Sequence, residues 1–174
     1  MRVPASPSIP FAIALALPAL VGCAGGHHAH YAGLESREIK SLSAADLEGY
    51  RAGRGMSLAL PAELNGYPGP LHVLELGEAL ALTPSQRAAT EALYQRMKAD
   101  AIAAGEVFIA AERDLDRLFA GKSATPAQLS EALARVGAAQ ERLRGTHLQA
   151  HLEQVRILTP EQAGQYQRLR GYAR

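Results

Sequence analysis

His147-Leu148-Gln149-Ala150-His151 sets two imidazoles at i and i+4. Such residues are neighbours on one helical face, near the separation at which two side chains share a metal ion. A carboxylate completes a ligand set suited to Zn²⁺, Ni²⁺, Co²⁺ or Cu²⁺. Asp100 is the candidate carboxylate, on the hairpin register argued below, and His72 the candidate fourth ligand. The alternative use of the same residues is structural: Asp100 and His147 as a buried hydrogen-bonded pair that fixes register, with His151 at the rim. His27, His28 and His30 crowd a Gly-containing stretch, where they either trap a metal transiently or stay solvated in a linker. No GxSxG, HExxH, P-loop or Gly-rich dinucleotide turn occurs, so no enzymatic activity is expected.

The elements that must hold these histidines are helices. Thr83-Pro84-Ser85-Gln86, Thr125-Pro126-Ala127-Gln128 and Thr159-Pro160-Glu161-Gln162 repeat one device: Thr as N-cap, Pro at the first helical position, Gln reaching back to the N-cap amide. After the first, Ala89, Leu93, Met97, Ala101, Ala104, Phe108, Ala111, Leu115 and Leu118 step by three or four, predicting a helix from Pro84 to Ala120 of about 55 Å. After the second, Leu129, Leu133, Val136, Gln140, Leu143, His147 and His151 continue the period to the third. A link as short as Gly121 to Thr125 forces an antiparallel hairpin. Positions equidistant from the turn then face each other: Leu129 and Leu118, Leu133 and Leu115 or Asp114, Val136 and Ala111, Leu143 and Ala104, His147 and Asp100. The fold expected is all-α, with short helices in residues 44–82 (44–50, 56–64 and 71–82) and a hairpin domain over 83–174.

Upstream, Arg2 precedes the apolar run Ile9 to Val21, which ends in Leu20-Val21-Gly22-Cys23. This has the form of a bacterial export signal (residues 1–22) closing in a lipobox, with Cys23 the lipidated first residue of the mature chain. Acylation would anchor the protein to the membrane, and Ala24 after the cysteine resembles sorting to the outer membrane, facing the periplasm. Residues 23–43 read as a flexible tether. Lys and Arg number 18 against 17 Asp and Glu, which leaves no basic field for nucleic acid. The lone cysteine rules out an internal disulfide or a thiolate zinc cage.

Leu82-Thr83-Pro84-Ser85-Gln86 and Leu158-Thr159-Pro160-Glu161-Gln162 are two copies of an LTxxQ motif, flanking a hairpin along the sequence of a short exported helical chain. In this the sequence resembles the Spy/CpxP family of periplasmic stress proteins and the related periplasmic heavy-metal-resistance sensors. The resemblance spans roughly Leu71 to Arg170. It implies a non-enzymatic all-α protein, often a cradle-shaped homodimer, that holds non-native envelope proteins without ATP or binds metal and reports stress to a membrane-bound regulator.

Two readings of function follow. In the first, weak apolar contacts hold unfolded or regulatory segments. Ile102 and Ile109, opposite the main stripe of the long helix, would be the client surface or else a dimer seam. In the second, Asp100, His147, His151 and His72 hold a transition metal for sensing or resistance. A purely structural envelope lipoprotein is the remaining alternative.

Overall fold

The computed structural model describes residues 31–172; Cys23, the export signal, the lipobox and the His27, His28 and His30 cluster lie outside them. Within the described residues a compact unit begins at Gly33. Its elements are a 3₁₀ turn (Leu34–Ser36), α1 (Ala44–Arg51), α2 (Leu60–Glu63), α3 (Pro70–Glu75), α4 (Pro84–Ala120), α5 (Pro126–Ile157) and α6 (Pro160–Leu169). Among the described residues there is no strand beyond one isolated bridge between Ile39 and Leu42. No described helix is long and apolar enough to cross a membrane.

Each TPxQ segment opens its helix as its side chains require. Thr83, Thr125 and Thr159 accept from the backbone N–H of Gln86, Gln128 and Gln162, and each Gln accepts in return from its Thr amide. The capping box satisfies donors that a helix start otherwise leaves orphaned. Helices α4 and α5 then pack antiparallel along their length. Their seam is rich in alanine, with Ala101, Ala104, Ala132, Ala139 and Ala150 buried, and such small side chains let helix backbones approach closely. Ala104 and Leu143 lie in one cluster with Val136 and Ala111 packed against it, as the register requires. Leu133 and Gln140 instead point to solvent, and Ala132 and Ala139 take their place in the seam.

The back of α4 is covered by the chain's own N-terminal segment. Ile39, Leu42 and Leu47 bury against Phe108 and Ile109, and Tyr50 meets Phe108 edge to face at 5.3 Å. Helix α1 crosses α4 at Gly105, where a Cβ would stand 2.7 Å from the Tyr50 carbonyl oxygen. The absent side chain is what permits the crossing. Ser41 donates to Glu112, and Arg113 pairs with Glu38 at 2.8 Å.

This packing corrects two expectations. Ile109 is 0 % exposed beneath the segment from Ile39 to Tyr50, so it is neither an open client surface nor a seam awaiting a second subunit, and Ile102 is partly buried beside Gly53. Residues 34–43 are likewise docked rather than tether-like, because Ile39 and Leu42 supply apolar anchors that bury on α4.

The short helices are shorter than their patterns suggested. Left-handed Met56 and Ser57 delay α2 to Leu60. Helix α3 ends at Glu75, and just beyond it the Arg87 guanidinium packs on the bare Cα of Gly77, 2.6 Å from where a Cβ would be. The chain then turns through left-handed Ala81 to reach Thr83.

Candidate functional site

Two polar assemblies meet at the open end of the hairpin. The first joins the LTxxQ motifs directly. Gln86 Nε2 donates to Gln162 Oε1 at 2.8 Å and Gln162 Nε2 donates back to Gln86 Oε1 at 3.0 Å. The second proton of each amide also finds an acceptor, on the Ile157 carbonyl for Gln86 (2.9 Å) and the Leu80 carbonyl for Gln162 (3.1 Å). Each Oε1 meanwhile accepts from its own Thr amide. A glutamine is required on both sides: a glutamate would close the capping box but could not donate across. Leu158 is buried in a cluster with Val73, Leu80 and Tyr166, with Leu82 packed against it. The third copy, at Thr125 and Gln128, sits exposed at the hairpin turn and bonds only within itself.

The second assembly is built on α5. His151 Nδ1 donates to the Tyr67 carbonyl at 2.7 Å, which fixes the tautomer and leaves Nε2 with its lone pair. Gly69 makes room for the ring, since a Cβ there would lie 2.9 Å from His151 Cε1. Behind it stands the buried Glu63 carboxylate, 3.7 Å from His151 Nδ1 and 3.6 Å from Arg170 Nε. Tyr166 donates its hydroxyl to Glu63 Oε1; burial and the Glu63 charge push its phenol pKa far above the usual tyrosine range. His147, one turn before His151, is 3 % exposed and its Nε2 has no hydrogen-bond partner. Burial, and then the neighbouring His151, hold its pKa below 6.5.

Glu63, His147, His151 and Arg170 line a cleft of about 620 Å³ between the α2–α3 segment and the hairpin. Met56, Leu60, Leu71 and Met97 supply apolar lining, and Arg54 and Lys98 join the polar side. His72 lines the cleft as well, but its Nδ1 is engaged with Glu75 at 2.7 Å.

The expected metal trio is therefore only partly assembled. His147 and His151 share the cleft, whereas Asp100 is exposed in a separate groove with Glu141, Arg142 and Gln149. One residue of helix is 100° of rotation, and its neighbour Ala101 is the one at the seam, 0 % exposed. Among the described residues no three His, Cys, Asp or Glu side chains gather closely enough to hold a metal ion. The buried polar pair across the hairpin is not Asp100 and His147 either. It is Thr90 and Gln154, both 0 % exposed, with Gln154 Nε2 donating to Thr90 Oγ1 at 3.1 Å. Sequence reasoning passed over Thr90, Gln154 and Glu63. The first two fall within the helical period but are polar, and Glu63 is placed by tertiary contacts alone.

The α2–α3 segment also carries the described chain's densest run of exposed large apolar side chains: Leu60, Leu64, Tyr67 and Leu71, each 39–55 % exposed. Comparison with known protein families, curated proteins and solved structures gives no match to the chain.

Proposed function

We propose that the chain is a non-enzymatic envelope stress protein that holds non-native polypeptides without a nucleotide, in the manner of the Spy/CpxP proteins it resembles, anchored at the outer membrane through acylated Cys23. The observation that carries this reading is the apolar run on the α2–α3 segment. Leu60, Leu64, Tyr67 and Leu71 stay exposed on a segment pinned to α5 through His151 and Tyr67. A fixed apolar surface of this kind offers weak, sequence-tolerant contacts to unfolded chains. The Gln86 and Gln162 pairing supports the kinship, because it uses the two LTxxQ motifs as one unit.

The test is suppression of aggregation of a reduced, unfolding client by stoichiometric protein. Wild type delays light scattering, and Leu60→Asp with Leu71→Asp removes most of the effect while Leu133→Asp, on the exposed face of α5, leaves it intact. Absence of suppression by the wild type, or equal loss in both variants, overturns the proposal.

A metal-binding sensor or resistance function is the second reading, favoured by the two adjacent α5 imidazoles. A carbonyl bond to Nδ1, as at His151, is how ligating histidines are commonly oriented. Titration with Zn²⁺, Ni²⁺ and Cu²⁺ tests it: one tight site per chain, lost in His147→Ala and His151→Ala, supports the reading, and no binding tighter than about 10 μM, roughly −6.8 kcal/mol, removes it.

A further inference from the structure

We infer that the cleft beneath the α2–α3 segment binds a small amphipathic monocarboxylate, an apolar chain ending in one carboxylate, of the fatty-acid class. The cleft shares Leu60 and Leu71 with the client surface proposed above, whose Leu64 and Tyr67 lie outside it.

Charge bookkeeping around the cleft identifies the head group. Its charged side chains are Arg54, Glu63, Lys98 and Arg170. Arg54 is neutralised by Glu48, outside the cleft, and Arg170 by Glu63. Lys98 is left half-buried with no acidic partner. Its stem is seated against Gly53, where a Cβ would lie 3.5 Å from Lys98 Cγ. The lining therefore carries one uncompensated positive charge.

His147 provides a second and independent pointer: a ring 3 % exposed, on the cleft wall, with Nε2 buried and unbonded. Buried polar atoms in native proteins are rarely left without a partner. A carboxylate offers two acceptor oxygens, one for the ammonium and one for Nε2 in the tautomer that carries its proton there. An ammonium ligand would face Lys98 unscreened, and a neutral one would leave the charge unanswered.

The body of the ligand follows from the remaining lining. Met56, Leu60, Leu71 and Met97 present apolar surface to the cleft, and unbranched methionine side chains adapt to irregular or flexible ligands. The volume, about 620 Å³, lies within the roughly 300–1,000 Å³ of small-molecule sites.

The experiment is calorimetric titration of the full chain carrying Cys23→Ser, in EDTA so that the metal reading does not enter. The probes are dodecanoate, dodecanol and dodecylammonium, below their micellar concentrations. Dodecanoate is expected to bind one per chain, at least tenfold tighter than either of the others. Lys98→Met, which keeps the stem, should lower dodecanoate affinity at least tenfold and leave dodecanol unchanged; His147→Phe should weaken dodecanoate severalfold. Equal affinity for the three probes, no saturable binding, or full dodecanoate affinity in Lys98→Met overturns the inference. None of these results depends on client holding, which is read separately by light scattering.

Discussion

Replacing Gln86 by Glu separates the two jobs of the LTxxQ glutamine. The carboxylate still accepts from the Thr83 amide, so the capping box survives. Lost are both donations from Nε2, to Gln162 Oε1 at 2.8 Å and to the Ile157 carbonyl at 2.9 Å. At about 1 kcal/mol net for each hydrogen bond, the deficit is about 2 kcal/mol, before any repulsion between the new carboxylate and the acceptors it faces. For a domain of this size that lowers Tm by about 6 °C. Gln128→Glu is the matched control: its box is the same and its place in the first helical turn is the same, so any helix-dipole benefit cancels between the two. Having no partner across the hairpin, it should change stability by less than about 0.5 kcal/mol. Acidification sharpens the comparison. A carboxyl among acceptors has its pKa raised by folding, so protonation favours the folded state and the Gln86→Glu deficit should narrow as pH falls. Thermal and urea unfolding followed by circular dichroism measure all of this. Equal shifts in the two variants, or strict additivity of Gln86→Ala with Gln162→Ala, would refute the cross-motif clasp.

Ile109→Asp should destabilise the protein by about 3–5 kcal/mol or prevent folding, since it buries an unpaired charge at a position 0 % exposed; urea unfolding decides, and a change under about 1 kcal/mol would mean that the N-terminal segment does not cover α4. Gly105→Ala puts a Cβ 2.7 Å from the Tyr50 carbonyl oxygen, at a cost of about 1–3 kcal/mol; limited proteolysis should then cut within residues 33–55 sooner, while α4 and α5 stay protected. His147 is held below its ordinary 6.5 by burial and by His151, so the unfolded chain takes up its proton first as pH falls. Stability is full above 6.5 and declines below it. His147→Phe should flatten the dependence of Tm on pH between 7 and 5, and an unchanged slope would assign the loss to other groups.

What could be read from the sequence depended on the range of the interaction. The ends of α4, α5 and α6 were legible because a capping box closes over three residues, and Thr83, Thr125 and Thr159 each carry a complete one. Seam positions were less so. The apolar period places Ala101 and Leu143 correctly, but Asp100 stands one residue away, and a register argument good to one or two positions cannot separate it from the seam. Polar seam residues such as Thr90 and Gln154 do not announce themselves in a hydrophobic pattern at all. The cleft was out of reach because Glu63, Tyr67 and Gly69 come to His151 from a segment without a period of its own.

Ile102 and Ile109 show how such gaps can be closed. An apolar pair on the back of a hairpin helix reads as a surface needing another molecule, while Ile39, Leu42 and Leu47 upstream are too sparse to form a pattern. Ile109 and those three residues are complementary halves of one cluster, and Ile102 packs beside Gly53 just beyond it. The cue was the capping box at Ser43 and Asp46, which starts a helix shortly after Leu42, and a segment with a built helix start needs somewhere to bury its few apolar residues. Within one chain such a docking costs only loop closure, whereas a second subunit must also give up translational and rotational freedom. An unmatched stripe on a long helix should therefore be offered first to the nearest capped segment of the same chain, and to a partner only when every such segment has been placed.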